Sequence, residues 1–202
     1  MAPSKKLNIN IESPRKPKHV YDSVIIGPQH FAIFSSWIEK KNDSYYTESN
    51  FPYKFNLLYR ANRDGNTPAA FHAKCDNKGA TIVIVKIQSS EQILGGYNPL
   101  PWDQNSAYKK TTDSYIFSFT NRNDLNTAKV GYTNRNASYA IYCNQSYGPA
   151  FGGGHDLFLD NNNNWNSSKP HSYSEINMPR GNNFGYNIYN VENYEVFQVI
   201  KK

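Results

Sequence analysis

The chain has 202 residues, of which 38% are hydrophobic, 15% aromatic and 19% charged, with a net charge of +6. That length suits one domain with a core large enough to fold without staples, and the charge is too sparse and mixed for a disordered chain. Two cysteines, Cys75 and Cys143, exclude a disulfide scaffold and argue against a cysteine-based zinc site, and no apolar run approaches the roughly 20 residues of a membrane span.

Charge is spread unevenly: residues 1–20 carry +4 and the remainder +2. With Pro3, Pro14 and Pro17 among those charges, residues 1–20 read as a disordered basic tail or linker, and 21–202 as the folded domain. No apolar stretch follows the first lysines, so a cytoplasmic chain without a signal peptide is expected. Sequons at Asn42, Asn136, Asn144 and Asn166 then read as chance in an Asn- and Ser-rich sequence.

Pro28 suits a first helical turn, and Phe31, Phe34, Trp37 and Ile38 recur at helical spacing, which predicts an amphipathic helix ending near Lys40 and Lys41. A strand is expected over 55–59, then a turn at Arg63-Asp64-Gly65-Asn66. Thr67 as N-cap and Pro68 at the first helical position predict a short helix to about Asn77, stopped by Gly79, with Phe71 and Cys75 one turn apart. Residues 81–88 are the clearest strand: Thr81, Val83, Val85 and Ile87 share one face, Ile82 and Ile84 the other. Both faces are apolar at its start, so each must be covered. Gly95 and Gly96 suggest a bulge or tight bend. Over 114–120, Tyr115, Phe117 and Phe119 are expected inside, with Ser114, Ser118 and Thr120 outside. Further strands are expected at 138–143, 155–160 and 191–200, with a loop at Asn161 to Asn164. Early helices followed by many strands argue for an α+β fold of antiparallel sheets with a few flanking helices.

Three groups of residues bear on chemistry. His72 and Cys75 are helix-surface neighbours, and a thiol beside an imidazole can act as a nucleophile or a peroxide-sensing thiolate, with Asp76 as orienter. The plainer reading packs Phe71 and Cys75 inward and gives His72 and Asp76 local hydrogen bonds. Gly152, Gly153 and Gly154 lack the Lys-Ser/Thr of a phosphate loop and read as backbone geometry, and His155 and Asp156 are expected to point apart along a strand. None of the five histidines pairs with another at metal-ligand spacing, so no cofactor or metal is expected.

Residues 57–87, LLYRANRDGNTPAAFHAKCDNKGATIVIVKI, closely resemble the signature of the TLDc domain family. LGGYNPLPW (94–102), YGPAFGGGHDL (147–157) and VENYEVFQV (191–199) are similar to its later blocks, in the same order. Ala80 stands where the family often has Pro, and His155 where a polar or acidic residue is common. The resemblance implies a two-sheet β sandwich flanked by short helices, protection against oxidative damage, and, for several members, binding to the vacuolar-type proton pump (V-ATPase) and control of its assembly. It implies no agreed catalytic mechanism. A non-catalytic module, monomeric and binding a protein partner, is therefore expected, with many exposed aromatics suited to an interface. Its alternatives are a thiol sensor or enzyme using Cys75 and His72, or the substrate-recognition piece of a BTB-type ubiquitin-ligase adaptor; no specific nucleic-acid binding or membrane insertion is expected. Candidate partner-binding or redox residues are Arg63, Asp64, Gly65, His72, Cys75, Asp76, Gly152, Gly153, Gly154, His155 and Asp156, then Glu192 and Glu195.

Overall fold

Residues 81–87 organise the molecule, because a strand apolar on both faces demands a layer on each side. The computed structural model, which describes residues 21–41, 45–133, 136–179 and 187–202, supplies both layers. The predicted basic tail at 1–20 lies outside the described residues. In chain order the helices are α1 (Pro28–Ile38), α2 (Ala61–Asp64) and α3 (Pro68–Cys75). The strands are β1 (Tyr53–Arg60), β2 (Thr81–Ile87), β3 (Ile93–Asn98), β4 (Ala107–Lys109), β5 (Tyr115–Phe119) and β6 (Ala128–Tyr132). They continue with β7 (Ile141–Cys143), β8 (Ala150–Phe151), β9 (Leu157–Leu159), β10 (Trp165–Ser167), β11 (Asn187–Tyr189) and β12 (Val191–Lys201). They form two antiparallel six-stranded sheets, in the orders β1-β12-β2-β3-β5-β6 and β11-β10-β9-β8-β7-β4.

The first sheet is shared between two cores. On its outer face, Ile82, Ile84, Phe117, Phe119 and Phe197 meet Phe31, Phe34 and Trp37 of α1, with Phe31 5.1 Å from Phe197 and Phe34 4.7 Å from Phe117, ring centre to ring centre. On its inner face, Val83, Val85, Leu94 and Val196 meet Ile141, Phe151, Leu157 and Trp165 of the second sheet, with Phe71 and Cys75 of α3 closing one end. The period-two alternation of β2 thus assigns its residues to two different cores. The N-terminus of α3 forms as expected: the Thr67 hydroxyl accepts the Ala70 N–H, and Pro68 takes the first position. The helix ends at Cys75, with extended Asp76 as its cap, so Gly79 (φ +77°) turns the chain into β2 instead of stopping the helix.

Four local expectations fail, each for a physical reason. Gly95 and Gly96 form no bulge: β3 pairs in unbroken register with β2 and β5. The glycines are needed for clearance, since a Cβ on Gly95 would lie 1.9 Å from the Val83 carbonyl oxygen, and one on Gly96 2.7 Å from the Phe151 ring. Ser114 and Ser118 are buried, because a segment near residues 173–177 covers that end of the inner face. The Ser118 hydroxyl donates to the Asn177 carbonyl, and Ser114 sits 2.8 Å from the Tyr173 hydroxyl. The strand expected over 138–143 shortens to β7, because 137–139 form a 3-10 turn. The strand expected over 155–160 shortens to β9, because His155 takes a left-handed conformation (φ +57°) in the preceding turn.

Candidate functional site

Two β-bulges meet at one corner of the first sheet. In β1 the register with β12 slips between Leu57 and Tyr59, so Leu57 packs against the α1 core while Leu58 and Tyr59 pack into the inter-sheet core. In β12 the register with β2 slips between Val191 and Asn193, which leaves Glu192 as the extra residue. A bulge breaks the alternation of side chains and re-aims them. Between the two bulges lies the segment predicted as a turn at 63–66, whose first half is the helical turn α2, closed by Gly65 at φ +100°.

The corner is tied down by polar contacts. Arg60 Nε donates to Glu195 Oε1 at 2.7 Å, and its Nη2 reaches Asp22 Oδ1 at 2.9 Å. The Ser23 hydroxyl and the Val24 N–H also donate to the Glu195 carboxylate, at 2.6 and 3.0 Å. Glu195 is 0% exposed, which corrects its selection as a surface residue: it is the buried anchor that fixes the entering chain to β12. Arg63 pairs with Asp64 at 2.8 Å and holds that carboxyl below its usual range, aided by the Arg60 N–H on Asp64 Oδ2 at 2.9 Å. The Asn62 N–H donates to Asn193 Oδ1 at 3.1 Å, and the Tyr59 hydroxyl donates to the Gly65 carbonyl. Asn62, Arg63, Gly65, Asn66 and Glu192 remain exposed, and Asn62, Asn66 and Glu192 line a cavity of about 90 Å³ together with Asn193. The consecutive residues Arg63, Asp64 and Gly65 thus share this corner with Glu192, which is far from them in sequence. Arg60 and Asn193 escaped the sequence reading. Arg60 carried a signal in being a cation directly after the uncharged stretch Phe55–Tyr59, whereas nothing local marks Asn193.

His72 and Cys75 do not form a couple. His72 Nδ1 lies 2.7 Å from Asp76 Oδ1, and its Nε2–H donates to the carbonyls of Asn144 and Tyr147 at 3.0 and 2.8 Å. Both ring nitrogens are therefore engaged, and the ring fastens the 144–147 loop to α3. Gln104 holds the other Asp76 oxygen at 3.0 Å. Cys75 is 0% exposed, and burial among Tyr59, Phe71 and Trp102 pushes its thiol well above the usual range. Burial also raises the Cys143 thiol. Because the thiolate is the reactive form, neither cysteine should react with iodoacetamide at pH 7.5 until the chain unfolds. Mass spectrometry showing Cys75 alkylated in the native protein as fast as in urea would refute this.

The glycine run forms a tight turn. Gly152 adopts φ +89°, and a Cβ there would lie 2.4 Å from the Asp156 carboxyl carbon. Asp156 is buried and accepts the N–H groups of His171, Ser172 and Tyr173 at 3.0, 2.9 and 3.0 Å. Burial raises its pKa, and the three amide donors oppose that rise without cancelling it. A Cβ on Gly153 would press on Tyr139, and one on Gly154 on His171. His155 does not alternate with Asp156 along a strand. Its left-handed backbone lays its ring among Tyr142, Tyr147 and Phe158, at 5.5, 5.6 and 4.9 Å, and burial lowers its pKa. Gly152, Gly153, Gly154, His155 and Asp156 thus hold a turn together.

Of the three groups, the bulged corner leaves the most polar side chains facing solvent. Among the described residues no cluster of three or more His, Cys, Asp or Glu is arranged to hold a metal ion, and no helix is long and apolar enough to cross a membrane. The exposed aromatics are fewer than expected: Tyr45, Tyr108 and Tyr139 among the described residues. The model of the TLDc domain family matches residues 20–200. A search of curated proteins returns no match.

Proposed function

The chain belongs to the TLDc domain family, and from that premise we propose that it is a non-catalytic, partner-binding module that protects cells against oxidative damage. The partner we assign is the vacuolar-type proton pump, whose assembly the module would modulate, acting as a monomer in the cytoplasm or at the vacuolar or lysosomal surface. The supporting observation is the bulged corner. There an exposed set of hydrogen-bonding side chains, Asn62, Arg63, Asn66 and Glu192, stands on a base fixed by the buried Arg60–Glu195 pair. Side chains held in place before binding lose less entropy on association, and Arg is favoured among interface residues. The His72 and Asp156 sites, by contrast, direct their polar atoms at the chain's own backbone.

The test is capture of proton-pump subunits from lysate by the full chain, compared with an Arg63→Glu variant. Recovery is expected to fall about tenfold in the variant, equivalent to roughly 1.4 kcal/mol. Arg63 is 45% exposed, so the substitution should leave folding intact. Failure of the unaltered chain to enrich pump subunits above a denatured control overturns the assigned partner.

A further inference from the structure

The second sheet carries a cluster of tyrosines on the face turned away from the first. Ile141 and Cys143 of β7 enter the inter-sheet core, so the alternation of the strand turns Tyr142 outward. Tyr108 of β4 stands directly across from it in the antiparallel register, where opposed side chains touch. Their ring centres are 4.7 Å apart, the shortest separation between two tyrosine rings among the described residues. Tyr139 adds a third ring, edge-on to Tyr108 at 5.1 Å. Polar contacts hold both phenols of the pair: the Tyr108 hydroxyl donates to the Gly153 carbonyl at 3.2 Å, and the Tyr142 hydroxyl accepts from Asn144 Nδ2 at 3.2 Å.

Side chains that give up an electron more readily than tyrosine are out of reach. The two cysteines and three tryptophans of the chain are each no more than 3% exposed. The exposed tyrosines among the described residues are Tyr45, Tyr108 and Tyr139, and Tyr45 has no ring contact with another aromatic residue there. The next closest pair, Tyr59 and Tyr194 at 4.9 Å, is buried in the core and closed to an oxidant. We propose that Tyr108 and Tyr142 form a modification site at which peroxyl radicals, acting as one-electron oxidants, join β4 to β7 through a dityrosine bond. Each phenol gives one electron and its proton to a peroxyl radical, so two peroxyl radicals become two hydroperoxides. The two tyrosyl radicals pair their odd electrons in a bond between ring carbons ortho to the oxygens. The hydrogens on those carbons leave as protons to water, and water returns protons to the oxygens, which restores both phenols. Because the fold holds the rings in contact, the radicals meet without diffusing. The step goes beyond the partner-binding reading and does not depend on which partner is bound.

The test exposes the full chain to peroxyl radicals from a thermally decomposed azo initiator, in native buffer and in urea. The products are digested, and cross-linked peptides are sequenced by mass spectrometry. A Tyr108–Tyr142 link within single chains is expected as the main dityrosine product of the native protein. In urea the pair is no longer held together, so its share should fall as links spread over other tyrosines. Tyr108→Phe keeps the ring and removes the phenol, and most of the dityrosine fluorescence should be lost with it. Tyr142→Phe should remove the same cross-linked peptide, while Tyr45→Phe should leave its yield unchanged. Links formed chiefly between chains, a Tyr108–Tyr142 share as high in urea as in buffer, or dityrosine fluorescence unchanged by Tyr108→Phe would overturn the site. So would tyrosine oxidation that yields no cross-link at all.

Discussion

Gly95→Ala is expected to destabilise the protein by about 3 kcal/mol, the upper end of the usual overpacking cost. The added carbon would lie 1.9 Å from the Val83 carbonyl oxygen. That oxygen belongs to the backbone of β2, which pairs with β12 on its other side, so relief requires moving three strands at once. Gly96→Ala is a milder case, because the obstruction is the Phe151 ring at 2.7 Å, and a ring can slide further than a strand. Gly79→Ala is the contrast: no atom lies within 4 Å of its added carbon, and only the left-handed φ of +77° resists, at about 1–2 kcal/mol. Urea unfolding of the three variants should rank them in that order of Gly95 before Gly79, with m-values unchanged. A Gly95→Ala variant within about 0.5 kcal/mol of the unaltered protein would show that the two strands are not held as described.

Removing the buried carboxylate should cost still more. Glu195→Ala is expected to lose about 3–5 kcal/mol, the range for breaking a buried pair from one side. Arg60, whose side chain is 11% exposed, would keep its charge and lose its closest partner, and the Ser23 hydroxyl and Val24 N–H would lose their acceptor. The remaining contact, Arg60 to Asp22, offers little rescue because the Asp22 side chain is 70% exposed and screened by water. The double variant Arg60→Leu/Glu195→Leu should recover much of the loss, since no charge is then stranded. If the double variant were as unstable as Glu195→Ala alone, the cost would lie in packing and not in the uncompensated cation. Thermal unfolding of all three proteins decides between these.

The elements best read from sequence are those whose information is local. The Thr67-Pro68 pair announces the start of α3, the spacing of Phe31, Phe34 and Trp37 gives α1, and the alternation in β2 assigns its residues to two opposite faces. What was misread depends on partners distant in the chain. Ser114 and Ser118 alternate like solvent-facing residues, and only the covering segment near 173–177 buries them. Gly95 and Gly96 suggest irregularity, but the irregularities sit at Leu58 and Glu192, where no glycine signals them. The functional candidates divide in the same way. The signature turn at 63–65 could be picked out by its residues, yet its proximity to Glu192 arises only when β12 inserts beside β1, and the depth of Glu195 follows from the Asp22–Val24 segment folding over it. Asn193 is one of many asparagines, and its contact with the Asn62 N–H has no local signature.

The position of β12 also governs the order of assembly during synthesis. This strand, Val191–Lys201, lies between β1 and β2, which are neighbours in sequence but not in the sheet. Until the ribosome has released it, β1 has no ladder to join, the Arg60 guanidinium has no Glu195, and both cores lack Phe197 or Val196. The emerging chain can form α1, α3 and the β2–β3 hairpin early, but the first sheet stays open through the middle until its final strand arrives. A stop codon or protease cut ahead of Val191 would therefore do more than shorten one edge. It would remove the strand that links β1 to the rest, and leave two aliphatic strand edges open to whatever chain is nearby.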